Sequence, residues 1–197
     1  MARPRSFDED QVLDAAMRTF WAKGYESTST RDLCEALGLD RSSLYNAFTN
    51  KCGLFKRALT RYMDVTTANQ LRILDNHEVP ATERIRALFD EILQVERENR
   101  RNGYGLGCLT VNTTTELSGR DQEIALMLDR NTEQRVAGLS AVIAIGQRDG
   151  DIGSVRDATE LARFINAVIA GIRVAAQGGE DDDAIAAIAA TAMDVLA

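Results

Sequence analysis

Proline occurs only twice in the 197 residues, at Pro4 and Pro80, and that scarcity constrains the fold more than any other feature. Proline removes an amide donor and clashes inside a helix, so long proline-free stretches leave long helices open to the chain. Apolar residues recur along those stretches at the three-and-four spacing of a buried helix stripe, and strand-like alternation is scarce. The expected fold class is all-α with about nine helices: an N-terminal three-helix head followed by a C-terminal helical bundle. Hydrophobic residues at 45% are enough to bury a core.

The first sixty residues carry the sharpest local signals. Val12, Leu13, Ala16, Met17 and Phe20 form one stripe on a helix from Asp8 to Lys23. Asp8, Glu9 and Asp10 suit its positive end, and Lys23 before Gly24 suits its negative end. Ser29 with Asp32 three residues later reads as a capping box for a short helix carrying Leu33, Ala36 and Leu37. Gly38 permits a left-handed turn, and Asp40 can cap a third helix, Arg41 to Phe48, with Leu44 and Phe48 inward. Asn50 can cap a fourth helix from Lys51. Two short helices joined by a tight glycine turn and buttressed by longer ones make a helix-turn-helix, whose second helix enters the major groove. Its outward residues here are Arg41, Ser42, Ser43, Tyr45, Asn46 and Ala47, a low-bulk polar face able to approach base edges.

The run Lys23-Gly24-Tyr25-Glu26-Ser27-Thr28-Ser29-Thr30-Arg31-Asp32-Leu33, then Ala36-Leu37-Gly38-Leu39, then Ser43 to Lys51, resembles the N-terminal signature of the TetR family of transcriptional regulators. The likeness covers roughly residues 7–60 without a gap, and so many matches in register make it specific. It implies a DNA-binding head over residues 1–50 and a ligand-sensing, dimerising body over residues 51–197. By the same resemblance, Thr30 and Arg31 sit where relatives touch phosphate and sometimes a base. Arg41, Ser42, Ser43 and Asn46 take the groove-reading positions, and Tyr45 and Lys51 the phosphate-anchoring ones. The chemistry agrees: arginine pairs with guanine, asparagine with adenine, and hydroxyl or ammonium groups suit phosphates. Arg31 also has a local partner at helical spacing, Glu35.

Net charge is −7, which at first argues against nucleic acid. Its distribution reverses that. Residues 1–60 hold nine Lys/Arg and eight Asp/Glu, net +1, while residues 61–197 hold fourteen and twenty-two, net −8. All three lysines (Lys23, Lys51, Lys56) lie in the first part. Screening limits the acidic body's field to about 8–10 Å, so a locally basic head can engage phosphates.

Beyond residue 60 the pattern predicts a fourth helix running to about Asp75, then helices from Ala81 to about Arg100, Cys108 to Leu117 and Arg120 to Arg148. Ser154 is the expected cap of the next helix, ending near Gln177, and Asp182 or Asp183 that of a last helix reaching the C-terminus. The family resemblance implies that the last two helices pair with their copies in a homodimer that reads a palindromic operator on double-stranded DNA, and their richness in small and branched apolar residues fits that.

Gly107-Cys108-Leu109 resembles a stretch in the TetR branch that includes NemR-type, electrophile- and oxidant-responsive repressors, and Gly171-Ile172-Arg173-Val174 resembles a recurrent segment there. A cysteine at a helix N-terminus has its thiolate favoured by the dipole, whereas a buried one behaves as a small hydrophobe. Both readings of Cys108 stand, and Gln177 lies near where a basic residue commonly follows in that branch. The family resemblance implies a small-molecule effector cavity in the body, for which Phe89, Glu96, Tyr104, Asn112 and Glu116 are the candidate lining residues.

One histidine (His77), no phosphate-binding loop and no nucleophile elbow leave little for catalysis, so no enzyme activity and no cofactor are expected. Glu180 to Asp183 reads as capping rather than metal binding, since no histidine or second cluster completes a ligand set. Three widely spaced cysteines, no membrane-length apolar run and a charged N-terminus point to a cytoplasmic protein with free thiols.

Overall fold

The computed structural model describes residues 8–101 and 107–197, and among these it contains nine α-helices and no strand. They are α1 (Glu9–Lys23), α2 (Thr30–Leu37), α3 (Arg41–Phe48), α4 (Lys51–Leu74), α5 (Ala81–Arg101), α6 (Leu109–Leu117), α7 (Gln122–Asp149), α8 (Ala158–Gln177) and α9 (Asp182–Asp194).

The head's caps form as the local sequence requires. Ser29 and Asp32 make a reciprocal capping box, Asp40 accepts from the Ser43 amide, and Asn50 accepts from the Gly53 amide. Gly38 closes α2 at φ 63, a conformation that a Cβ would strain, and so sets the turn into α3. Thr49 ends α3 at φ 66, uncommon for a β-branched residue, and hands the chain to the cap of α4.

Helix ends differ from the sequence expectation by a residue or two at α6 and α7, which begin at Leu109 and Gln122, and more tellingly at α8 and α9. The cap of α8 is Asp157, not Ser154. Ser154 is held in extended chain: its amide donates to the Leu196 carbonyl at 3.2 Å, and its own carbonyl accepts from Gln147 at 2.7 Å. The cap of α9 is Asp181, because Asp182 instead pairs with Arg97 and Arg100 at 3.4 and 3.0 Å. The last helix stops at Asp194, and the chain end folds back onto the segment that enters α8.

Burial divides into two apolar clusters. One joins α5, α8, α9 and most of α7, centred on Ile85, Leu88, Phe89, Ile143, Ile165 and Ile172. The other joins α1 to α3 and the first half of α4, around Phe20, Leu33, Leu44 and Phe55. That second cluster also takes Cys108, Leu109 and Leu117 from the α6 segment and Ile124 and Leu128 from α7. Phe55 lies at its centre, edge-on to Phe20 with ring centroids 5.0 Å apart and 4.9 Å from Tyr25. Replacing Phe55 by Ala is expected to cost about 3–5 kcal/mol, lowering the melting temperature by on the order of 10 °C in a calorimetric scan. A change under ~1 kcal/mol would mean that the head's core is not organised around this ring.

Candidate functional site

The outer face of α3 is exposed at Arg41, Ser42 and Asn46, half-exposed at Ser43, Tyr45 and Ala47, and buried at Leu44 and Phe48. The inward pair lies four residues apart, so the polar residues between face out together. Ser42 and Ser43 both donate their hydroxyls to Asp40, at 2.6 and 3.2 Å, which holds the start of the helix. Those bonds, with the amide of Ser43, keep the Asp40 carboxyl below the usual range. The Tyr45 hydroxyl meets the Thr30 hydroxyl at 3.0 Å, bringing the start of α2 beside α3. The Arg41 guanidinium lies 5.4 Å over the Tyr45 ring.

Arg31 pairs with Glu35 at 2.9 Å, with side chains 87% and 64% exposed. An exposed pair of this kind is worth a few tenths of a kcal/mol, so a phosphate can displace the carboxylate. Lys51, at the N-terminus of α4, sits 4.3 Å over the Tyr25 ring and donates to the Glu26 carbonyl at 3.5 Å. Thr30, Arg31, Arg41, Ser42, Ser43, Tyr45, Asn46 and Lys51 thus all carry donor groups on the head, and the small side chains of α3 leave its outer face low.

A polar joint ties this head to the body. Glu116, on α6, accepts from the Tyr25 and Glu26 amides at 3.0 and 2.8 Å, in the turn between α1 and α2. Expected as a cavity residue, Glu116 instead belongs to this joint. Gly24, at φ 80, allows the close approach, since a Cβ there would stand 3.3 Å from the carboxylate oxygens. Lys56 bridges to Glu123 and Asp121 at 2.6 and 3.4 Å, and both carboxylates raise its pKa against a smaller effect of burial. Trp21 donates to the Gly107 carbonyl at 3.1 Å.

Cys108 is the N-cap of α6, and its thiol is 1% exposed. Its surroundings are polar nonetheless. Arg173 Nη1 donates to Sγ at 2.6 Å, the Tyr62 hydroxyl donates to it at 3.5 Å, and the Thr110 hydroxyl lies 2.9 Å away. Burial pushes the thiol up, but Arg173 and the hydrogen bonds together outweigh it and hold the thiol below its ordinary range. The Tyr62 phenol moves the other way, raised by burial and then by the neighbouring sulfur. Arg173 is itself buried, and Glu96 lies 4.0 Å from its Nε. Burial raises the Glu96 carboxyl, against the pull of Arg173 and Arg100.

A cavity of about 460 Å³ opens beside this cluster. Met17 and Trp21 of α1, Tyr62 and Gln70 of α4, and Glu96 and Asn99 of α5 line it, with Arg173 of α8 at its end. Tyr62 and Arg173 touch both the cavity and the Cys108 sulfur. Of the expected cavity residues, Glu96 lines it and Phe89 is packed into the body core. Asn112 lies on α6 away from the lining, and Tyr104 lies outside the described residues.

Arg173, Trp21, Tyr62 and Asn99 were not singled out as site residues from sequence. Arg173 had two legible signals: its place in the segment Gly171 to Val174, which carries a family resemblance, and its charge within the buried stripe Ile165, Ile169, Ile172, Ala176 of α8. Trp21, the single tryptophan, had none, because half-burial on an amphipathic helix looks the same for a core residue and a cavity wall.

An exposed, low-bulk α3 on a three-helix head, joined to a helical body, defines a helix-turn-helix regulator as a class. Residues 12–58 match the family described as bacterial regulatory proteins, tetR family, and residues 81–192 match the tetracyclin repressor-like C-terminal domain. The chain belongs to the TetR family of DNA-binding transcriptional regulators. It is 35% identical to the HTH-type transcriptional repressor ComR of Escherichia coli over 97% of this chain and 90% of that one. It is also similar to the regulator CifR complexed with 26-base-pair double-strand operator DNA, with a TM-score of 0.84 and 28% identity over 100% of both chains. The reduced form of E. coli NemR shares the fold, with a TM-score of 0.82 at 18% identity over 95% of this chain and 96% of that one.

The geometry around Cys108 makes a pH prediction. Only the thiolate reacts with iodoacetamide, so the rate at Cys108, followed by peptide mass, should reach half-maximum below the ordinary thiol range. In Arg173→Met the burial effect loses its opposing cation, and the midpoint should move upward. An unchanged midpoint would show that Arg173 does not set the ionisation of this sulfur.

Proposed function

We propose that this protein is a cytoplasmic repressor, not an enzyme, that holds a palindromic operator as a homodimer and is released by a small-molecule effector. The observation that carries the DNA reading is the exposed face of α3, with Thr30 and Tyr45 beside it and Lys51 at the next helix start. Residues 1–50 form the reading head and residues 51–197 the sensing and dimerising body. Arg41, Ser42, Ser43 and Asn46 read base edges; Thr30, Arg31, Tyr45 and Lys51 anchor phosphates. ComR is named a repressor, and CifR was captured on its operator, both of which favour this assignment.

The dimer surface is formed by α8 and α9. Phe164 and Val174 on α8 and Ile188 on α9 are 45%, 54% and 40% exposed, a set of large apolar side chains that a second copy would cover. The half-sites of such a dimer are spaced by about 34–36 Å, one turn of DNA.

The effector reading rests on Cys108. Its sulfur is held towards the thiolate by Arg173 and lies behind the cavity wall formed by Tyr62 and Arg173. Conjugate addition to an α,β-unsaturated carbonyl would form one S–C bond and break the C=C π bond. The electron pair passes to the carbonyl side and is protonated from solvent. The adduct displaces α6, and with it the Glu116 contact to the turn between α1 and α2.

Three measurements test these assignments. In a fluorescence-anisotropy titration against its operator, Lys51→Ala should weaken binding on all sequences and reduce the salt slope by about 0.9 per lost phosphate contact. Arg41→Ala should relax base preference at one position, worth about 1–3 kcal/mol, while leaving other positions unchanged. No DNA binding at low salt by the unmodified protein would end the repressor reading. Val174→Arg should yield monomers in sedimentation at micromolar concentration, and a persistent dimer would move the interface elsewhere. Operator release by an enone should vanish in Cys108→Ser; an undiminished response would remove this cysteine as the sensor.

A further inference from the structure

The cavity carries unmet hydrogen-bonding demand of one kind. Among the described residues, three buried side-chain nitrogens have no hydrogen-bond partner: Asn99 Nδ2, Arg135 Nε and Arg173 Nε. All three are donors, and two of them, on Asn99 and Arg173, belong to side chains that line the cavity. Arg173 is 7% exposed, so its free N–H has little water to turn to. A buried donor left unpaired costs on the order of 1–3 kcal/mol, a cost that an acceptor brought by a ligand would remove. The exposed surface of the rest of the wall is mostly apolar, with Trp21, Ile92 and Val95 prominent, while Asp14, Glu91 and Arg61 also line it.

The charge of that ligand follows from its neighbours. Glu96 lies on the same wall, is 7% exposed, and stands 4.0 Å from Arg173 without a hydrogen bond between them. Arg173 already faces the Cys108 sulfur through Nη1. A carboxylate ligand would add a second anion beside Glu96 in a poorly hydrated space, and an ammonium would present donors to donors. A neutral oxygen acceptor satisfies both constraints.

We propose that this cavity binds, without covalent reaction, a neutral and mostly apolar carbonyl compound whose oxygen accepts hydrogen bonds from Asn99 Nδ2 and Arg173 Nε. The volume of about 460 Å³ suits a molecule of small-drug size or less. Because Met17 and Trp21 of α1 form part of the wall, such a molecule bears directly on a helix of the DNA-binding head. The inference deepens, and rests on, the reading of the protein as an effector-released repressor.

The test uses acetophenone, its carbon isostere α-methylstyrene, which carries C=CH2 in place of C=O, and benzoate. Binding to the full-length protein is read from the indole N–H signal of Trp21, unique in the spectrum because the chain has a single tryptophan. Acetophenone should bind about tenfold more tightly than α-methylstyrene, as one or two buried hydrogen bonds allow. Benzoate should bind more weakly than acetophenone. Asn99→Leu should cut acetophenone affinity about tenfold and leave the isostere unaffected or better bound. Should Asn99→Leu fail to fold, Val95→Phe, which fills the apolar wall, should abolish binding of both neutral probes. Cys108→Ser should retain acetophenone binding, separating recognition from thiol chemistry.

Equal affinity for the two isosteres, or tighter binding of benzoate, would overturn the proposal. Operator binding measured on the same samples keeps the two readings apart. A protein that binds its operator but does not distinguish the probes loses only this inference; one that distinguishes the probes but binds no DNA loses the repressor reading instead.

Discussion

The structure depends on α4 belonging to two cores at once. Its 24 residues form a rod about 36 Å long, and its buried positions change partners along that length. Leu54, Phe55, Ala58 and Leu59 pack against α1 to α3, while Leu74 at the far end packs in the body core. Between them, Thr67 accepts from Asn131 of α7 at 2.8 Å, a buried polar clasp that sets the register of the two long helices. A rigid rod shared by two close-packed interiors cannot shift at one end without disturbing the other.

The α6 segment supplies a second connection with a different character. Its apolar side, Leu109 and Leu117, lies in the head's cluster, and its polar side offers Glu116 to the backbone of the turn between α1 and α2. The start of this helix is Cys108, so one short element runs from the buried sulfur to the head in nine residues. Around the sulfur, the electrostatics are mutually dependent. Arg173 is buried and Arg135 half-buried, and desolvation lowers the Arg135 pKa. Removing one member of such a buried set exposes the others to an uncompensated desolvation cost of several kcal/mol. The Cys108 sulfur, Glu96 and the guanidiniums therefore stand or fall as a group, and a change of charge at the sulfur alters the balance of all of them.

Much of the head was legible because its determinants are local. Ser29 with Asp32, Asp40, Gly38 and Asn50 act on backbone groups within a few residues of themselves, so their spacing alone specifies helix starts and the turn. The errors at α8 and α9 have the opposite origin. Ser154 could cap a helix, but its backbone is taken by Leu196 and Gln147, and Asp182 is drawn off by Arg97 and Arg100. Each competitor lies elsewhere in the fold, beyond the reach of a pattern read along the chain.

The division between sequence and structure follows from how far each interaction reaches. Helical class, element order and the inward and outward faces of α3 were legible in periodicity and in capping residues acting over three or four positions, and the family in the resemblance of the run from Lys23 to Lys51. What only the tertiary structure decided was the company of Cys108, the place of Glu116 at the joint and the donors left unpartnered in the cavity. Those depend on groups separated by 65 and 91 residues coming within hydrogen-bonding distance. The charge and burial of a group are properties of its surroundings, and surroundings exist only once the helices have packed.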